Sequence, residues 1–452
     1  MTPPLVSVIV TAYNVGRFVE RALESALAQD YPSIEVVVVD DGSTDDTPEV
    51  LARFADRVTV VTQANGGVQR ATSAGLARVR GDYIAFLDGD DTWPSDRIRR
   101  MVELLEARPE VGLVHGDMAV IDEHDRIVHP SFFESSRIVR HAGDVYGILV
   151  HANFASGGAS MVRGSLKSRF APIPDSFPWQ DWWVSLRVAE VAEVAQIDGI
   201  LNNYRRHDAN FGFGVTGERQ VRSIGCEVAC RRHILRHLHD SRAPIVNLAS
   251  SHGALELQAG QIAALTGSTP AEAVEVTGDD RAAADAAHAA GGAAVRSGEL
   301  ERGGRLFLQA LGHDPFHRAR ADLHYAIRTL EAAGELDRSG APLPPPELAS
   351  EGLVAVALLD ELQEEPALLG RFYAEQEPAA TLRIVSRLDE TATGDRLVAV
   401  ARAAGVGDGD GPDLVAVPVA SDTDGARVAA AATVRLGAAR IPGAGRLARL
   451  AA

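Results

Sequence analysis

The sequence predicts an α/β protein built on a doubly wound, mainly parallel sheet, and three observations carry that expectation. Its first hundred residues hold four unbroken runs of β-branched and aromatic residues: "VSVIV" (6–10), "EVVVVD" (35–40), "RVTVVT" (57–62) and "DYIAFLD" (82–88). Such continuity suits strands buried on both faces, as in parallel sheets, rather than a sheet with one wet face. Amphipathic segments alternate with these runs. The first, second and fourth runs end in polar residues, Thr11 to Asn14, Asp40 to Ser43 and Asp88 to Asp91. They therefore converge on the edge where such sheets bind ligands.

The elements follow in order. In "GRFVERALESALAQ" the residues Phe18, Val19, Ala22, Leu23, Ala26 and Leu27 recur at helical spacing, with Arg17, Glu20, Arg21 and Glu24 opposite, so the first crossover is a helix. Repeated strand-helix-strand units imply right-handed crossovers. Further strands are expected at "VGLVHGDMAVID" (111–122) and "AQIDGILNNYRR" (195–206), with a helix "DWWVSLRVAEVA" (181–192) between them. Residues 123–180, with their prolines and glycines, read as loop-rich. After about residue 215 the composition shifts to Ala, Leu, Arg and Glu at helical spacing, and "AAVRSGELERGGRLFLQALGHDP" (293–315) is similar to one tetratricopeptide-type helix pair. A proline-rich stretch, "SGAPLPPPE" (339–347), precedes a last β-α-β pattern with apolar runs at 353–359, 381–388 and 413–420. The expected organisation is a doubly wound domain over 1–215, an α-helical region over 216–338, a linker over 339–350 and a small α/β accessory module over 351–452.

At 452 residues the chain exceeds the size of a single core. Its formal charge of −18 argues against nucleic-acid backbones and anionic lipid surfaces as general partners. Cys226 and Cys230, four apart, make no disulfide framework and point to a reducing compartment. Near His233 and His237 they read as small apolar fillers of a helix rather than metal ligands. "LVSVIV" is short and lacks a basic leader, so it does not read as a secretory signal, and no uncharged apolar run reaches 18 residues. The expectation is a cytoplasmic protein without a membrane span, with peripheral association at the inner membrane face and homo-oligomers left open.

The chemistry centres on Asp88, Asp90 and Asp91, three like charges that end an apolar run. A divalent cation removes their repulsion, and magnesium or manganese takes carboxylate oxygens together with substrate phosphates.

"VSVIVTAYNVGRFVERALESALAQDYPSIEVVVVDDGSTDDT" followed by "NGGVQRATSAGLARVRGDYIAFLDGDD" resembles the nucleotide-binding half of the family-2 glycosyltransferases of GT-A fold, over roughly residues 5–215. The resemblance implies an inverting, metal-assisted hexosyltransferase of polysaccharide biosynthesis, using a nucleoside-diphosphate sugar and a glycan or lipid-linked acceptor. It assigns Thr11, Ala12, Tyr13 and Asn14 to the nucleotide, with Tyr13 near the base. Asp41 would accept from the base imide, which favours a UDP- or dTDP-sugar, and Asp40 supports that loop. Asp88 lies near the ribose with Gly89 beside it, and Asp90 binds Mg2+ or Mn2+. Asp91 stands behind them. Where the family commonly carries an arginine this chain has Thr72, with Arg70 as the nearby substitute. The family's Glu-Asp pair opening a helix is Gln180-Asp181 here, which makes Asp181 the general base; its neighbours Trp179, Trp182 and Trp183 have flat apolar faces that suit sugar rings, with core packing as the alternative for two of the three. "YRRHDAN" (204–210) implies that His207 ligates the metal or contacts the diphosphate.

Two alternatives accompany this reading. A sugar-nucleotide-forming transferase would need a Gly-rich, basic signature after the first strand, which "TAYNVGRF" lacks. A catalytically inactive, glycosyltransferase-like nucleotide-binding scaffold finds support in Thr72 and Gln180.

Overall fold

The computed structural model describes residues 2–136, 138–208, 210 and 215–333, together with four strands nearer the C-terminus. The chain divides into two compact units, Met1–Ala341 and Pro342–Ala452. The first contains β1 (Val6–Ala12), β2 (Ile34–Asp40), β3 (Thr59–Thr62), β4 (Tyr83–Asp88), β5 (Val111–Ile121), β6 (Ile127–His129), β7 (Ser160–Arg163) and β8 (Glu193–Arg205). They form one sheet in the order β3-β2-β1-β4-β7-β5-β6, with β8 also paired to β5. The first four strands are parallel, β7 runs antiparallel between β4 and β5, and β8 runs parallel to β5.

The unbroken apolar runs have a direct cause. Successive side chains of a strand point to opposite faces, and in β1, β2 and β4 both faces are covered, whereas β3 lies at the sheet edge, exposed at Thr59 and Thr62 and only half-buried between them. Ile9, Val37, Ile84 and Phe86 enter one apolar cluster, while Val8, Val10, Val36, Val38, Ala85 and Leu87 enter another. The helix Val19–Leu27 buries Val19, Ala22, Leu23 and Ala26 in the second cluster. The helix Gln180–Ala189 and the strands at 111–121 and 193–205 fall where the periodicity places them. The stretch 123–180 contains more order than its composition suggests, because β7, only four residues long, is held by backbone pairing to β4 and β5 on either side.

Five helices follow: Glu218–His237, Ile245–Thr266, Gly278–Arg296, Leu300–His313 and Ala319–Ala332. The cluster that begins at Ile9 and Phe86 continues through Trp183 to Ile234, Phe307 and Leu311, so the helices share a core with one face of the sheet. Cys226 and Cys230 are unbridged on the first of these helices, and burial pushes the Cys230 thiol up. No helix among the described residues is long and apolar enough to cross a membrane.

In the second unit β9 (Val354–Leu358), β10 (Thr381–Ser386), β11 (Asp413–Pro418) and β12 (Val434–Arg435) form a parallel sheet in the order β11-β10-β9-β12. The first three coincide with the expected runs. The proline-rich stretch and the helices expected after residue 351 lie outside the described residues.

Candidate functional site

β1 lies between β2 and β4, where the winding of the sheet reverses, the position beyond whose strand ends such sheets bind ligands. The register there pairs Ala12 with Asp40 and Thr11 with Asp88. The chain leaving each neighbouring strand is tied back to β1: the Asp41 N–H donates to the Ala12 carbonyl at 2.9 Å and the Gly89 N–H to the Thr11 carbonyl at 2.9 Å. A Cβ at Gly89 would stand 2.9 Å from that carbonyl oxygen, so the close approach requires glycine.

After β1, Tyr13 is 48% exposed, so its ring is open to a ligand. Asn14 takes a left-handed turn at φ 52°, and its Oδ1 accepts the Thr44 N–H at 2.8 Å. Asp40 is buried and accepts the Ser43 N–H at 3.0 Å. Asp41, also buried, accepts Gln63 Nε2 at 2.7 Å and the Gly66 N–H at 3.0 Å on one oxygen, and the Gly67 N–H at 2.8 Å on the other. Its carboxylate thereby shapes the loop beyond β3, and the second oxygen keeps capacity for another donor. Arg70 lies within electrostatic reach of Asp41, yet its guanidinium forks onto Asp175 at 2.7 and 2.6 Å on an exposed surface. Thr72 is buried.

At the end of β4, Asp88 accepts from Thr11 Oγ1 at 3.3 Å. Withdrawal from water, then the negative charges of Asp90 and Asp181, push its carboxyl up to about 7. The ionised form is thus a cost in the folded state that is complete above pH 7 and fades as the pH falls toward the unfolded value of 3.8. Asp88→Asn is expected to melt several degrees above the wild type at pH 8 in EDTA, and at about the same temperature near pH 4, by thermal unfolding. Equal melting at pH 8 would show that Asp88 carries no such cost.

Asp90 meets His207 directly, its Oδ2 standing 2.9 Å from His207 Nε2. Asp91 is turned inward, where it accepts Asn202 Nδ2 at 2.7 Å and the Arg205 N–H at 2.8 Å, as befits a residue behind the cluster. Arg205 is fully buried and donates from Nε to the Asp90 carbonyl at 2.7 Å. Asn210 donates to the Arg205 carbonyl at 3.0 Å and accepts the His207 N–H, closing the turn. Only His207 of this stretch stands out from the sequence. Arg205 and Asn210 fit the family pattern Tyr-Arg-x-His-x-x-Asn in the same "YRRHDAN", but that pattern carries an assigned role for its histidine alone.

Asp181 opens the helix Gln180–Ala189, accepting the Trp182 N–H at 2.7 Å and, more loosely, the Gly157 N–H at 3.3 Å. Burial raises its pKa against the opposing effect of these donors. Gln180 sits beside it with its Oε1 buried and unpartnered. Trp182 and Trp183, 2% and 8% exposed, belong to the core and donate to the Leu149 and Phe170 carbonyls, so neither offers a face to a sugar ring. Trp179 is half-buried.

The donor set suits a hard cation. The 2.9 Å between Asp90 Oδ2 and His207 Nε2 is a hydrogen-bond distance that brings a carboxylate oxygen and an imidazole nitrogen together as two potential ligands of a divalent ion. Among the described residues no group of three or more His, Cys, Asp or Glu could hold a metal ion. An ion there would thus draw its remaining ligands from a substrate diphosphate and water.

The family model described as glycosyl transferase family 2 matches residues 7–170. An uncharacterized glycosyltransferase of Nostoc sp. is 31% identical over 231 residues, 48% of this chain and 70% of that protein. The succinoglycan biosynthesis protein ExoO of Rhizobium meliloti is 47% identical over 106 residues, 23% of this chain; the chain spans 30% of that protein. Among solved structures, S. aureus TarS aligns at a TM-score of 0.44 and 18% identity, over 73% of this chain and 91% of that one.

Proposed function

Because the chain belongs to the family-2 glycosyltransferases and is a glycosyltransferase, we propose that it transfers a sugar, with inversion, from a UDP- or dTDP-sugar to a hydroxyl of a glycan or lipid-linked acceptor. The observation that carries this reading is the convergence of Asp41 after β2 with Asp88 and Asp90 at the end of β4, on either side of β1, with Asp181 near enough to raise the Asp88 pKa. The loop of Thr11 to Asn14 and the exposed Tyr13 flank the nucleotide. Asp41 accepts from the base imide through its remaining lone pairs, its N–H and that of Gly89 hold the two loops against β1, and Asp40 braces its own loop through the Ser43 N–H. Asp90 and His207 hold Mg2+ or Mn2+, which supplies positive charge to the diphosphate.

Asp181 takes the proton of the acceptor hydroxyl as it attacks the anomeric carbon from the side opposite the leaving diphosphate. Its raised pKa suits a general base, since a more basic carboxylate removes a proton more readily. Arg70 reaches the donor only by releasing Asp175. The name of the Rhizobium relative supports a glycan acceptor. Cytoplasmic localisation, at the inner membrane face for a lipid-linked acceptor, belongs to the same proposal, as does residue 215 as the limit of the catalytic segment.

The inactive, scaffold-like reading is favoured by one observation, the buried Thr72 in place of an arginine with Arg70 already paired to Asp175. Turnover of a UDP- or dTDP-sugar donor in manganese separates the two, and calorimetric titration with UDP and with GDP, each in manganese and in EDTA, tests the nucleotide site that both readings share. Manganese-dependent binding of UDP in preference to GDP is the expected result. Nucleotide binding without donor turnover moves the assignment to the scaffold.

A further inference from the structure

We propose that Arg205 is a positioning residue whose buried guanidinium holds the Asp90 loop and the His207 turn at the spacing from which both engage a cation and its diphosphate. The proposal rests on the reading of Asp90 and His207 given above. The observations that carry it centre on one residue, whose side chain has no exposed surface.

Arg205 Nε donates to the Asp90 carbonyl at 2.7 Å, one peptide from the Asp91 whose carboxylate accepts the Arg205 N–H at 2.8 Å. The Asp90-Asp91 segment is therefore gripped by both the side chain and the backbone of Arg205. Its remaining nitrogens reach the Asp122 carbonyl at 2.9 Å and the Asp125 carboxylate, both in the turn between β5 and β6. Its guanidinium lies 5.1 Å from the centre of the Phe18 ring, and the same ring packs 4.8 Å from the His207 imidazole. Asn210 bonds the Arg205 carbonyl and the His207 N–H, so His207 cannot shift without Arg205. The planar fork of donors thus ties the segment carrying Asp90 to the turn between β5 and β6 and rests on the Phe18 ring, while the Arg205 backbone reaches the His207 turn through Asn210.

Stability alone is a poor explanation for this arrangement. Burying a guanidinium costs desolvation that its ion pair rarely exceeds, and an apolar residue of similar volume often does as well. What an apolar residue cannot do is bond two carbonyls and a carboxylate at fixed angles. A spacing of 2.9 Å between Asp90 and His207 depends on such fixed angles, because cation affinity falls steeply when ligands are misplaced.

Asp125→Ala and Arg205→Lys test this. Asp125 is 42% exposed, so its loss leaves the core packed. Each variant is titrated with UDP across a manganese series and followed by thermal unfolding, with Asp90→Ala in parallel. The expected result is a manganese midpoint raised about tenfold in both variants, with UDP binding in EDTA unchanged and Arg205→Lys retaining part of the dependence. An unchanged midpoint accompanied by a lowered melting temperature shows a merely structural role and overturns the proposal. If Asp90→Ala keeps the wild-type manganese dependence, the reading of Asp90 falls and this proposal falls with it; if it loses the dependence while both Arg205-directed variants keep theirs, only the proposal fails.

Discussion

Asp181→Asn is expected to lower the turnover number by about 10²–10⁴-fold while leaving manganese-dependent UDP affinity within twofold of the wild type. The asparagine keeps an oxygen that can accept the Trp182 N–H, now made at 2.7 Å, so the start of the helix Gln180–Ala189 is preserved. It cannot take a proton from an acceptor hydroxyl. The variant also removes a carboxylate that burial penalises, and one of the charges that raises the Asp88 pKa, so it should unfold no more easily than the wild type. The pH profile gives a second readout. Because the folded pKa of Asp181 is raised above 3.8, its basic form accumulates only at pH values above the ordinary carboxylate range, and turnover should rise with pH across that displaced limb. Steady-state rates at saturating donor and acceptor check both. A variant turning over within tenfold of the wild type would reduce Asp181 to a helix-capping residue.

Asp90→Ala acts at the other end of the donor. Its expected effect is a loss of manganese-dependent UDP binding larger than the roughly 10–100-fold cost of losing an outer-shell partner, together with loss of transfer and of donor hydrolysis. The cause is local, for Asp90 and His207 provide the two facing donor atoms. With His207 alone a cation would depend on the diphosphate and water for nearly all its ligands. Isothermal titration in manganese and in EDTA measures the difference. Normal donor turnover by this variant would remove the metal assignment, and the cation would have to be sought elsewhere.

The first four strands and the carboxylates at their ends were legible because both depend on local chemistry. A strand covered on both faces is apolar at most positions, as Val8 with Val10 on one face and Ile9 on the other illustrate in β1, whose buried Ser7 is hydrogen-bonded to Glu35. Asp40, Asp41, Asp88 and Asp90 stand out by following such strands, and the helix of Asp181 announces itself by its spacing.

Other features could be decided only by the tertiary structure. The four residues of β7 have too little sequence to declare a strand, and they become one because β4 and β5 offer unpaired backbone on either side. Trp182 and Trp183 look like sugar platforms beside Asp181, yet the packing of that helix buries both. Arg70 pairs with Asp175, 105 residues away, and Arg205 reaches Asp90 across 115. The sequence by itself determined which strands form and that carboxylates line their rim, since periodicity and strand ends are properties of neighbouring residues. Which charged groups are solvated, and which are buried and oriented, was settled by contacts between distant segments, whose energies exist only once the sheet has brought those segments together.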